Sequence, residues 1–268
     1  MNRIFKTICG CLWLIALCLT SGVYAQDFGA TKRSAEQGNV LAQDNLGTMY
    51  FYGRGVAQNY AEALKWFRQA AEQENAHAQF SIGYLYANGQ GVAKNYVEAM
   101  KWYRKAAEQE NASAQSGIGW MYEKGWGVVQ SDTEALTWYR KAAEQGDALA
   151  QNNLGMMYYN GQGVAKDFAQ ALMWYRKAAE QGYAKAQSNL GVMYDKGQGV
   201  AQSDAEALKW YQKAAEQGDA SAQNNLGAMY YTGQGVARDY AKAMELWRKA
   251  AAQGNANAQY SLRTYGNE

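Results

Sequence analysis

Apolar residues along this chain return at spacings of three and four, and the whole pattern returns every 36 residues. Between Val40 and Tyr52, Ala42, Leu46, Met49 and Tyr50 share one face, which predicts an amphipathic helix. A second stretch after Asn59 carries Ala63, Leu64, Trp66, Phe67 and Ala70 toward a core and predicts another. The same letters then recur. Gly47, Gly83, Gly119, Gly155, Gly191 and Gly227 are evenly spaced, and so are Tyr50, Tyr86, Tyr122, Tyr158, Tyr194 and Tyr230. A fixed period of this length marks an array in which each unit buries its apolar face by stacking on the next. The expectation is an all-α solenoid of antiparallel helix pairs. Its repeats run 39–74, 75–110, 111–146, 147–182, 183–218 and 219–254, with a half repeat at 29–38 and a capping helix at 255–268, all in one domain over 26–268.

The punctuation agrees. Asn39, Asn75, Asn111, Asp147, Asp219 and Asn255 stand where the first helix of a pair needs an N-cap, with Tyr183 the exception. Asn59 with Glu62, Asn95 with Glu98, Ser131 with Glu134 and Ser203 with Glu206 read as capping boxes for the second. Gly146, Gly182, Gly218 and Gly254 end the second helices, but Glu74 and Glu110 hold that place in the first two repeats, so strain is expected there. Glycine inside the first helix costs about 1 kcal/mol relative to alanine. Gly47 and its equivalents therefore predict close approach of the paired helix backbones. The absence of proline suits uninterrupted helices.

Ala-x-x-x-Leu-Gly-x-x-Tyr, Gly-x-Gly-Val, Ala-x-x-Trp-Tyr and Ala-Ala-x-x-Gly recur in this order. In the fourth repeat they are Ala150 to Tyr158, Gly161 to Val164, Ala171 to Tyr175 and Ala178 to Gly182. This combination resembles the Sel1-like repeat family, a relative of tetratricopeptide repeats. The resemblance implies a right-handed superhelix and a role in holding other proteins, since many members are adaptors and exported bacterial ones include host-interacting proteins. A disulfide-stapled branch has been linked with penicillin binding, but this chain lacks that branch's cysteine pairs. The last full repeat also departs from the pattern, with Leu246-Trp247 where Trp-Tyr is expected.

The first 25 residues read differently. Arg3 and Lys6 precede an apolar run from Ile8 to Leu19, and Val23-Tyr24-Ala25 has signal-peptidase spacing, so export with cleavage after Ala25 is expected, to the periplasm or beyond the cell. All three cysteines lie in this leader. It also holds two of the 26 basic residues and none of the 24 acidic ones, so the remainder has 24 of each. That balance argues against nucleic-acid binding, and no later stretch is apolar over the length of a membrane span.

Little in the chain suggests chemistry. The Gly-x-Gly loop lacks the third glycine and the strand of a nucleotide fingerprint. His77, the single histidine, reads as a variable surface position. Trp66, Trp102, Trp138, Trp174 and Trp210 recur with the core alanines and are expected inside. No cofactor or metal is expected. Recognition should instead come from columns that vary between repeats. On the first helices these place Phe51, Phe80, Tyr84, Trp120, Met156, Tyr159 and Tyr231 as apolar anchors of an inner groove, with Glu123, Asn152, Asp195 and Asn224 as polar contacts. Trp126 replaces the arginine or glutamine of the other loops and is expected as an exposed contact near Trp120. The leading expectation is a non-enzymatic exported scaffold that binds a protein or peptide, with self-association as an additional use of the same face. An envelope enzyme acting on peptidoglycan or a β-lactam stays open beside it, as does a carbohydrate-binding module.

Overall fold

In a computed structural model, residues 28–266 are described, and the expected leader and its cleavage site lie outside them. Among the described residues there are helices and no strands. The chain divides into two compact units, Met1–Val129 and Gln130–Glu268. The first holds α1 (28–36), α2 (Val40–Tyr52), α3 (Tyr60–Glu72), α4 (Ala76–Asn88), α5 (Tyr96–Glu108) and α6 (Ala112–Lys124). The second holds α7 (Asp132–Glu144), α8 (Ala148–Asn160), α9 (Phe168–Glu180), α10 (Ala184–Lys196), α11 (Asp204–Glu216), α12 (Ala220–Thr232), α13 (Tyr240–Ala252) and α14 (Ala256–Tyr265). Within each unit consecutive helices pack as pairs, and each pair packs on the next.

The helix starts follow the expected letters. Asn39, Asn75, Asn111, Asp147, Asp219 and Asn255 each accept the backbone N–H three residues on. Tyr183 makes no such bond and packs against the core around Tyr175 and Leu190 instead. Only half of each expected capping box forms. Asn59, Asn95, Ser131 and Ser203 cap the N–H of the glutamate three residues on. The return bond is absent at Asn59, Asn95 and Ser203, whose own N–H donates to the carbonyl of Tyr50, Tyr86 or Tyr194 in the preceding helix. The glutamates turn to Lys65, Lys101 and Lys209. The loops before α3, α5 and α11 are thus tied to the helix before them.

The glycine inside the first helix, at Gly47, Gly83, Gly155, Gly191 and Gly227, has a reason other than the expected backbone approach. A Cβ on Gly83 would lie 2.5 Å from the Tyr103 ring, and one on Gly191 would lie 2.6 Å from the Tyr211 ring. The glycine is a notch for the aromatic residue of the paired helix, and the helix backbone (Ala99 O at 3.2 Å from the Gly83 Cβ) is the second neighbour. The second glycine of the loop also lies against backbone. A Cβ on Gly91, itself at φ +68°, would meet the carbonyl carbon of Tyr60 at 2.5 Å, in the second helix of the repeat before. That contact, not a phosphate cradle, explains Gly-x-Gly.

Repeats are also joined by amides. Gln73 donates to Gln43 at 2.8 Å, and Gln43, which is buried, donates to Ala35 O at 3.2 Å. The arrangement recurs at Gln109 and Gln79, then at Gln181 and Gln151, Gln217 and Gln187, and Gln253 and Gln223. Each amide satisfies a buried partner, so the ladder avoids the cost of an unpaired polar group.

The tryptophan column is less uniform than expected. Trp66, Trp174 and Trp210 are buried, whereas Trp102 and Trp138 are half-buried. Lysine ammoniums cover the latter two rings at 4.7 and 4.6 Å.

Candidate partner-binding face

The varying residues of the first helices fall into separate clusters. In the first unit, Phe51, Phe80 and Tyr84 come together. The Phe51 and Tyr84 rings meet edge to face at 5.8 Å, and Phe80 and Tyr84 lie 6.5 Å apart. With Thr48, Tyr52, Phe67, His77 and Ser81 they line an open cleft of about 300 Å³. The rings are held from behind. Phe80 stacks on buried Tyr103 at 5.7 Å, and Phe51 meets Tyr60 at 5.3 Å. Tyr84 is 39% exposed and Tyr52 60%. A fixed apolar floor with exposed aromatic rims suits an apolar side chain of a partner, because rigid rings lose little entropy on contact.

His77 is exposed, in keeping with a variable surface position, and it also lines this cleft. Its Nδ1 lies 2.8 Å from Asp44 Oδ1. Asp44 and His77 occupy different columns, 33 residues apart, and only this pair of repeats places complementary ionisable groups there. The hydrogen bond to Asp44 raises the His77 pKa above 6.5, and partial burial opposes it. A histidine stabilised in its charged form by folding contributes most below its unfolded pKa, and the contribution fades as pH rises through the folded value. The melting temperature of the protein is therefore expected to drop modestly as pH rises from 6.5 upward, and Asp44→Asn should flatten that step. An unchanged slope in Asp44→Asn would show that the pair contributes nothing.

Trp120 and Trp126 form a second cluster in the first unit. Their rings meet edge to face at 4.2 Å, and Trp126 stacks on Tyr96 at 4.7 Å. Trp126 is half-buried rather than exposed. The loop position it occupies faces different residues in different repeats. In the second unit the loop glutamine reaches the residue 39 positions earlier, with Tyr159 donating to Gln198 at 2.8 Å and Gln234 donating to Asp195 at 2.9 Å. The residue 39 positions before Trp126 is Ala87, which offers no hydrogen bond. Glu123 has a largely buried side chain paired with Lys124.

The remaining candidates lie in the second unit and are mostly engaged there. Asn152 is buried, accepting from Asn189 at 3.0 Å, so it is a wall residue and not an open polar contact. Met156 and Tyr159 pack against the core around Tyr175. The Asn224 side chain donates to Asn225 Oδ1 at 3.1 Å, and its backbone carbonyl accepts from Trp247 Nε1 at 3.0 Å. Tyr231 packs on Tyr240, Trp247 and Tyr265. The first-unit cleft is thus where Phe51, Phe80 and Tyr84 of the predicted residues come together. The sequence reading missed Tyr52, Phe67, Ser81 and His77 as its lining. An offset of 33 residues, tested for complementary pairs, would have found the histidine.

Among the described residues no group of three or more histidines, cysteines, aspartates and glutamates is placed so that it could hold a metal ion. No helix there is long and apolar enough to cross a membrane.

Comparison with known proteins supplies a frame for this geometry. The profile of the family described as Sel1 repeat matches six consecutive segments, 40–75, 76–111, 112–147, 148–183, 184–219 and 220–255. The crystal structure of c5321, a protective antigen of uropathogenic Escherichia coli with an SLR fold, is 41% identical and superposes with a TM-score of 0.75 over 88% of this chain. The present chain spans about half of that protein's length, 52%. A Sel1 repeat protein from Oxalobacter formigenes is 36% identical with a TM-score of 0.73, covering 86% of this chain and 96% of its own. An immunity protein from Pseudomonas aeruginosa, PA5088, shares the fold at 20% identity and a TM-score of 0.54, covering 79% of this chain and 82% of its own. No curated protein matches the chain.

Proposed function

Because the chain belongs to the Sel1 repeat family, whose helical repeats are generally non-enzymatic scaffolds for protein interactions, we propose that it is an exported adaptor that binds a protein or peptide through the first-helix face. The cleft formed by Phe51, Tyr52, Phe80 and Tyr84 is the observation that carries this reading. Its exposed rings are set on a buried aromatic floor, so a partner side chain would displace water from an apolar surface that is already ordered. Export is inferred from the leader pattern over residues 1–25.

One experiment addresses both parts. Protein recovered from the periplasm should have an intact mass that begins at Gln26. Immobilised, it should capture a partner from an envelope extract. Phe51→Ala/Tyr84→Ala should capture at least about tenfold less, as expected for truncating two interface anchors, with unchanged helicity by circular dichroism. Equal capture by the variant would reject the cleft, and a mass that retains the leader would reject cleavage.

A further inference from the structure

On the second-helix side of the second unit, a separate cleft of about 510 Å³ opens between α11, α12 and α13. Three repeat columns break at this one place. Leu246 stands where Trp66, Trp102, Trp138, Trp174 and Trp210 stand in the other repeats. Gln212 replaces the arginine of Arg68, Arg104, Arg140 and Arg176, and Lys242 replaces a glutamate or glutamine. All three substituted residues line the cleft.

The other repeats show what normally fills it. Trp210 packs in one cluster with Ala179 and Leu190, against Tyr194. Their counterparts 36 residues on are Ala215, Leu226 and Tyr230, which line the cleft. The floor that seats an indole is therefore kept, and the indole is missing. The arginine that elsewhere bonds the tyrosine hydroxyl, as Arg176 does to Tyr194 at 2.9 Å, is missing as well. Lys242 has taken that place, with its Nζ 4.5 Å from the Tyr230 ring centre.

The cation that caps the indole is retained too. Lys105, Lys141, Lys177 and Lys213 lie 4.3–4.7 Å from the indole three residues earlier. Lys249 holds the same place over Leu246 and, lacking a ring, reaches Glu245. An ammonium attracts the negative face of an aromatic ring, most strongly that of tryptophan. Apolar floor, tyrosine wall and a lysine that covers no ring are complementary to an incoming indole.

We infer that this cleft is a receptor for a tryptophan side chain of a bound polypeptide. The amide of Gln212 and the carboxylate of Glu216 stand at its rim, where they can bond the backbone that carries such a side chain. The inference does not rest on the first-helix cleft, which is built from other helices.

The test is ligand-observed fluorine NMR with N-acetyl-5-fluorotryptophanamide and, in parallel, 5-fluoroindole, on the purified protein. The amide should bind at least threefold more tightly than the indole. Leu246→Trp, which fills the space from within, should weaken amide binding at least tenfold while the protein still melts cooperatively. Lys249→Ala should weaken it at least threefold without refilling the cleft. No binding by the wild-type protein, or undiminished binding by both variants, would overturn the site. Equal affinities for amide and indole would overturn the polypeptide as the source of the ring.

Discussion

Truncating Tyr211 to alanine should cost about 3–5 kcal/mol of unfolding free energy, the range for emptying a large buried aromatic site. Tyr211 is 1% exposed, and its ring occupies the notch at Gly191, where a Cβ would come within 2.6 Å. Ring and glycine form one contact. With the ring gone, α10 keeps a glycine that serves no purpose, and the gap cannot be filled from α10 because glycine has no side chain. Repeat arrays are stabilised by nearest-neighbour terms, so the loss should appear first as an early transition confined to part of the protein. Urea denaturation followed by circular dichroism measures it. A loss below about 1 kcal/mol would mean that neighbouring side chains collapse into the space, contrary to a rigid notch.

The opposite sign is expected for Glu74→Gly combined with Glu110→Gly. Glu74 has φ +62° and Glu110 φ +60°, where Gly146, Gly182, Gly218 and Gly254 stand in the later repeats. A side chain in the left-handed region costs roughly 1–2 kcal/mol, part of which glycine's looser unfolded chain offsets. The backbone bonding does not differ between the two cases. Glu74 N–H donates to Ala71 O at 3.1 Å just as Gly146 N–H donates to Ala143 O at 3.1 Å. Neither glutamate makes an ion pair within the described residues. A gain of about 1 kcal/mol per site, and a rise in melting temperature of about 4–8 °C for the pair, should follow in thermal scans. An unchanged melting temperature would show that unfolded-state entropy cancels the strain.

Most of the fold was legible because its determinants are local or strictly periodic. N-caps, loop glycines and helix lengths depend on residues within a few positions of each other, and both the strained glutamates and the irregular Tyr183 stood out against the repeat. What escaped was non-local and polar. Gln73 and Gln43 sit 30 residues apart, and glutamine carries neither charge nor hydrophobicity to betray a partner. Gln73 belongs to an Ala-Glu-Gln segment that reads as a solvated helix end. The glycine notch was placed correctly but explained wrongly, since sequence cannot distinguish a backbone from a ring as the crowding neighbour. The site was legible in part. Phe51, Phe80 and Tyr84 do converge. Asn152 and Asp195 also vary between repeats, yet each hydrogen-bonds inside the array, to Asn189 and Gln234. Column variation thus mixes free surface positions with positions already engaged inside.

The glutamine ladder has a consequence for how such a chain can change length over generations. Every rung joins a residue to one 30 places before it, and that residue reaches back eight more. Excising or duplicating a stretch of one full period within a unit gives each severed rung an identical new mate. A cut of any other size strands buried amides at both edges. Growth and shrinkage by whole periods are therefore nearly invisible to folding, while slippage by a few codons is purged.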